Sequence, residues 1–246
     1  MFIHAHPDDE SLWTGGTIAS VAARGGDTSL IMCTWAPGTH RHRELLEATA
    51  QMGMTRPPIM LGYADSHVPD SAPGAARLVD VPFDEQVHLI AGHIRQLQPE
   101  VIVTYDAFGI YGHIDHIHTN RLACAAADAA GVALYQPELG PPWQVPSLYF
   151  ATLPQSTVDA LTPHLTAEAH IPVSGTPDTA VDLRLDVGPV VGRKIRAIRS
   201  HATELKRSAS MRQFGSLPPE QQRLFLRTEA YLRRDLVPGG AELGPA

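Results

Sequence analysis

Short apolar runs alternate with stretches of helical period through the first half of the chain. Met1-Phe2-Ile3 is a strand-like run that stops at a polar cluster beginning with His6. Leu12 to Arg24 follows, with Leu12, Ile18, Val21 and Ala22 as its apolar positions and Gly25-Gly26 as a helix stop. Gly15-Gly16 inside that stretch means either close packing on a sheet or a helix that starts after it. Thr28 to Ala36 is a near-continuous apolar run, the pattern of a strand buried on both faces. Strand, helix and strand in this order make a βαβ unit.

The alternation continues. Arg41 to Met52 reads as a helix with Leu45, Leu46, Ala48 and Met52 as its stripe, and Ile59 to Gly62 as a short strand. Ala64 to Val79 is a Gly/Pro/Ser/Asp-rich loop. Phe83 to Leu97 reads as a helix, Val101 to Tyr105 as a strand, and His116 to Ala130 as a small-residue helix. Past Gly131 the pattern weakens: Ser147 to Thr152 and Ala180 to Val187 read as strands, Arg193 to Lys206 and Pro219 to Arg234 as helices. The expected fold is α/β: a Rossmann-like, mostly parallel sheet flanked by helices, with an elaborated C-terminal portion. We expect a single domain over 1–246, with a core at 1–135, the elaboration at 136–236 and a flexible tail at 237–246.

Composition narrows the function classes. At 246 residues, 43% of them hydrophobic and 18% charged, the chain can bury a sizeable core. The net charge of −7 and the lack of a basic stripe argue against nucleic acid as a partner. No apolar run approaches a membrane span and no secretory leader precedes the first strand, so a cytoplasmic protein is expected. Cys33 and Cys124 show no metal-binding spacing and read as buried thiols. The 13 histidines are therefore where a metal site is to be sought.

Two clusters follow predicted strands. The first is Ala5-His6-Pro7-Asp8-Asp9-Glu10. Pro7 biases His6 toward an extended backbone, and the adjacent Asp8 and Asp9 diverge, so one can bind a metal while the other acts on water. Helix capping and dipole complementarity would explain one Asp and Glu10, leaving His6 and the second Asp without a role. The second cluster is Gly112-His113-Ile114-Asp115-His116-Ile117-His118. One of its imidazoles added to His6 and Asp9 completes a two-His, one-carboxylate set with open positions, which suits Zn2+ or Fe2+. Spacing does not decide among His113, His116 and His118, and His4 competes by the period-2 rule.

Together these motifs resemble the PIG-L/LmbE-like family of zinc-dependent N-acetylglucosaminyl deacetylases, and most closely its actinobacterial mycothiol-pathway branch of deacetylases and amidases. Arg41-His42-Arg43-Glu44, Leu61-Gly62-Tyr63-Ala64-Asp65-Ser66, Thr104-Tyr105-Asp106, and Lys194 with Ser200-His201-Ala202-Thr203 extend the likeness along most of the chain. The resemblance implies zinc on His6, Asp9 and His116, Asp8 as general base, a protonated His113 facing the oxyanion or leaving amine, and Asp115 as the partner of His113. Arg41, Asp65 and His201 become candidates for substrate hydroxyls or the leaving half. The implied partner is a small N-acetylated amino sugar or glycoconjugate. A larger amide, such as a mycothiol conjugate or an N-acyl-glucosaminyl antibiotic, is the alternative, and a non-catalytic sugar-binding relative the third. Two departures stand out: few residues precede His6, suggesting a clipped first strand or misassigned start, and Ile114 replaces the family's usual proline.

Overall fold

The computed structural model describes residues 1–164 and 174–243. Strands β1 (Phe2–His4), β2 (Leu30–Thr34), β3 (Ile59–Tyr63), β4 (Val101–Tyr105), β5 (Ser147–Thr152), β6 (Leu183–Asp186) and β7 (Thr228–Asp235) form one sheet in the order β3-β2-β1-β4-β5-β7-β6. Strands β1 to β5 run parallel, and β7 lies antiparallel between β5 and β6. The helices are α1 (Asp9–Trp13), α2 (Gly15–Ala23), α3 (His40–Met52), α4 (Phe83–Leu97), the irregular one-turn α5 (Gly109–Gly112), α6 (Ile114–Ala130), α7 (Gln155–Leu161), α8 (Val191–Ser200), α9 (Ala202–Arg207), α10 (Ala209–Ser216) and α11 (Pro219–Leu226). None of the described helices is long and apolar enough to cross a membrane.

The period of two along the strands divides the core. Ile3, Ile31, Cys33 and Ile102 point to one face, where α4 and α6 pack through Ile90, Ile94, Leu122 and Ala126. Phe2, Leu30, Met32 and Val103 point to the other, against Ile18 of α2, Leu45 of α3 and Ala197 of α8. Burial on both faces is why these strands read as unbroken apolar runs.

The expected helix from Leu12 is two helices broken at Thr14. Gly16 explains the glycine pair: a Cβ there would lie 2.4 Å from the Val187 side chain. The larger correction is Pro219 to Arg234, whose second half is the strand β7. Glu229 and Tyr231 share one face of that strand, and Glu229 accepts the N–H groups of Gly16 and Thr17 at 2.7 and 2.8 Å, at the N-terminus of α2. Pairing on both edges of β7 outweighs the local helical tendency. The expected helix over Arg193 to Lys206 also divides, at His201. The tail is tied to β5 as far as Leu243: the Ala241 N–H donates to Ser147 Oγ at 2.7 Å, and Leu243 is buried. Its last three residues lie outside those described.

The chain winds outward from β1 through β2 to β3, then returns to place β4 on the other side of β1. That reversal is the switch point of an open α/β sheet, where the loops leaving neighbouring strands part and leave a crevice. The loop after β1 carries His6 and Asp8; the loop after β4 leads to His113.

Candidate active site

His6 and Asp9 come from the β1 loop, and His116 from the first turn of α6. Their donor atoms converge: His6 Nδ1 lies 3.1 Å from His116 Nε2 and 3.3 Å from Asp9 Oδ2, and His116 Nε2 lies 3.2 Å from that oxygen. The far side of each ring is engaged. His116 Nδ1 faces the Gly109 carbonyl at 3.2 Å, and His6 Nε2 faces Asp115 Oδ2 at 3.0 Å. Protons held on those outer nitrogens aim two bare nitrogens and a carboxylate oxygen at one point, which calls for a positive charge. Burial disfavours a charged His6, yet hydrogen bonds to Asp115 and Asp9 win and raise it to about 10, so a proton fills the place when no metal does. The spacing also suits donors held about 2.0–2.2 Å from a common ion.

Asp9 is buried, which pushes its carboxyl up, but His116 and His6 hold it well below the usual range. Its Oδ2 accepts the Tyr105 hydroxyl at 2.6 Å and its Oδ1 the Trp13 indole N–H at 3.0 Å. Tyr105 stacks on His116 with centroids 4.1 Å apart. Gly109 lets its loop press on α6, since a Cβ there would lie 2.6 Å from the His116 Cβ, and its φ is +67°. Neither Tyr105 nor Trp13 was given a role in the sequence, although Thr104-Tyr105-Asp106 was part of the family likeness and Tyr105 ends the strand before the second motif.

Asp8 flanks the convergence at φ 146°, ψ −27°, a strained backbone. Burial raises its carboxyl to about 7, opposed by Arg41, whose Nη2 lies 3.0 Å from Asp8 Oδ1. His113 is the N-cap of α6: its Nδ1 accepts the Asp115 N–H at 3.2 Å, leaving any ring proton on Nε2. Burial and the His6 and His116 charges lower His113 to about 4. That direction runs against the protonated ring expected.

Three further expectations change. Asp115 does not pair with the His113 ring; α6 starts so that its carboxylate points inward to His6 Nε2 and takes hydrogen bonds from the Ser66 hydroxyl and N–H. His201 is fully buried 2.8 Å from Glu10 Oε1 and does not line the cavity, because the α8–α9 junction turns its ring inward. Arg41 and Asp65 do line it, but both are already engaged: Arg41 bridges Asp8, the Pro7 carbonyl and Glu204, while Asp65 Oδ1 accepts the N–H groups of His67 and Val68. Of the competing histidines, His118 bonds Gln86 at 2.6 Å and His4 bonds Thr14 at 2.9 Å.

Other donors lie close. His6, His113 and His116 form a group within 4.8 Å, as do His6, Asp65, His113 and Asp115. The His6, Asp9, His116 corner has its three donors within 3.1–3.3 Å of one another, and each of its outer ring nitrogens has its own partner. It opens on a cavity of about 480 Å³ that reaches past Tyr111 to Leu153, Val158 and Phe225. An adjoining cavity of about 410 Å³, which shares Met211, Phe214 and Leu226 with the first, has no carboxylate or histidine among its described residues.

Residues 1–127 match the PIG-L family, described as GlcNAc-PI de-N-acetylase. A 1D-myo-inositol 2-acetamido-2-deoxy-alpha-D-glucopyranoside deacetylase of Rhodococcus erythropolis is 33% identical over 87% of this chain and 83% of its own, and one of Mycolicibacterium gilvum is 36% identical with the same coverage. In fold, the chain resembles a conserved protein of Thermus thermophilus, with TM-score 0.64, 22% identity and 98% of each chain covered. The parallel sheet with its crevice and buried His/Asp corner is the architecture of a metal-binding hydrolase. The chain belongs to the PIG-L family and is an amide hydrolase of the deacetylase type.

Proposed function

We propose that this chain hydrolyses the N-acetyl amide of an N-acetylglucosaminyl substrate, releasing acetate and a free amino sugar, with zinc held by His6, Asp9 and His116. The observation that carries the reading is the convergence of those three donors beside a carboxyl group raised to about 7. The two-imidazole, one-carboxylate set suits Zn2+ and also accepts Fe2+. The ion, when bound, supplies Lewis-acid chemistry, activating water near neutral pH and polarising the amide carbonyl.

The side chains do the rest. Asp8 takes the proton of the attacking water, and a carboxyl titrating near 7 can both accept and return it. Arg41 fixes one oxygen of Asp8. His113 donates a hydrogen bond from its Nε2–H to the oxyanion as the tetrahedral centre forms, the kind of contact worth about 3–4 kcal/mol. Asp8 then hands its proton to the departing amine, since His113 is lowered to about 4 and holds no spare proton at neutral pH. Asp115 and the Gly109 carbonyl keep the two metal-facing rings in the right tautomer.

The test pairs elemental analysis with free-amine release from N-acetylglucosamine, its inositol glycoside and larger N-acyl glycoconjugates. We expect one zinc per chain and amine release from an N-acetylglucosaminide. Asp8→Ala should keep the metal and lose about 10²- to 10⁴-fold in kcat; full turnover in that variant would remove Asp8 from the mechanism. The apolar far wall at Leu153, Val158 and Phe225 favours the larger-amide reading as the second choice, and release only from the larger conjugates would establish it.

A further inference from the structure

One buried ion pair takes no part in this chemistry, yet it touches the proposed base. His201 and Glu10 are fully buried, with His201 Nε2 2.8 Å from Glu10 Oε1. Ser11 Oγ donates to the same oxygen at 2.6 Å. The other oxygen, Oε2, accepts the backbone N–H of Asp8 at 3.0 Å. Asp8 depends on that bond. Its φ of 146° lies where residues with side chains stay only when their surroundings hold them. The Asp8 carbonyl is held as well, accepting the Ser11 and Leu12 N–H groups at 3.1 and 3.0 Å as α1 begins.

Glu10 is oriented because each of its oxygens has a donor. A buried carboxylate that loses a donor turns to find another or takes up a proton, and either change loosens the oxygen that pins Asp8. The donor in question comes from the α8–α9 junction, 191 residues further along the chain. We propose that His201, acting through Glu10, is a positioning residue for Asp8: it locks the carboxylate that holds the strained backbone of the base. This rests on Asp8 being the base. It also makes the C-terminal helices part of the catalytic device, since His201 sits at the junction of α8 and α9.

The full chain carrying His201→Gln or His201→Asn tests this, with the inositol N-acetylglucosaminide and free N-acetylglucosamine as substrates. Glutamine places an amide nitrogen where Nε2 was and keeps a donor on Glu10; asparagine buries the same chemistry but stops short of it. The Gln variant should keep kcat within about threefold of the natural chain. The Asn variant should lose about ten- to a hundredfold in kcat while KM, zinc content and thermal midpoint stay with those of the Gln variant. Equal kcat in the two variants, or a loss in Asn that follows loss of zinc, overturns the proposal and leaves His201 a packing element. Asp8→Ala run alongside separates the two ideas. If it abolishes turnover while Gln and Asn behave alike, the base stands and the positioning role falls; if it is fully active, there is no base to position.

Discussion

His4 is fully buried at the end of β1, with Nε2 2.9 Å from Thr14 Oγ1 and its ring edge-on to Tyr105. Burial, only partly opposed by Asp9 and Glu10, lowers it from 6.5 to about 4. Between those values the unfolded chain binds the proton and the folded chain does not, so stability is full above about 6.5 and falls as the pH drops toward 4. The contribution is about 3 kcal/mol by linkage. Urea unfolding at pH 7, 5.5 and 4.5 should show His4→Gln lacking that part of the slope; parallel curves for the two proteins would refute the assignment. His4, His113, His116 and His118 are equivalent as letters, and spacing left them competing. What distinguishes them is which ring nitrogen already has a partner, and that is set by residues distant in sequence such as Thr14, Gln86 and Asp115. For the same reason Asp115 and His201 were legible as important but misread in role. The motif names its members, while the helix starts decide where they point.

The elements of the parallel half were legible almost to their ends. Phe83–Leu97, Val101–Tyr105 and Ser147–Thr152 coincide with the expected spans because burial on both faces, or on one stripe, writes itself into local period. β7 was not legible. Its residues occupy a slot between β5 and β6, and that environment is made by chain far away. Its Glu229 takes five donors, including Lys194 Nζ at 2.5 Å and the first N–H groups of α2. Glu229→Ala would leave Lys194 buried without a counter-charge and should cost about 3–5 kcal/mol. Chemical denaturation measures this, and a change below about 1 kcal/mol, the range of exposed pairs, would mean the pair is effectively solvated.

At the scale of the molecule, the sheet's switch point brings two loops about a hundred residues apart in sequence to one corner, and a cation bound there would tie them together. Metal should therefore stabilise the whole fold: a hundredfold excess over its dissociation constant adds about 2.7 kcal/mol. A chelator should lower the thermal midpoint and abolish amine release, and added zinc should restore both. A midpoint indifferent to chelator would show that no ion bridges the loops.

The antiparallel insertion of β7 has a consequence in time. β6 is made before β7 but touches the sheet only through it, and β5 likewise waits for its second edge to be covered. During synthesis the parallel strands can assemble as they emerge, whereas the last third of the sheet closes only when residues 228–235 have left the ribosome. Until then β5 offers a row of unpaired amides to any passing strand. Nascent chains stalled before this point should be the form that chaperones hold, and the insertion of β7 between β5 and β6 is the moment at which the carboxylate of Glu229 reaches the N-terminus of α2.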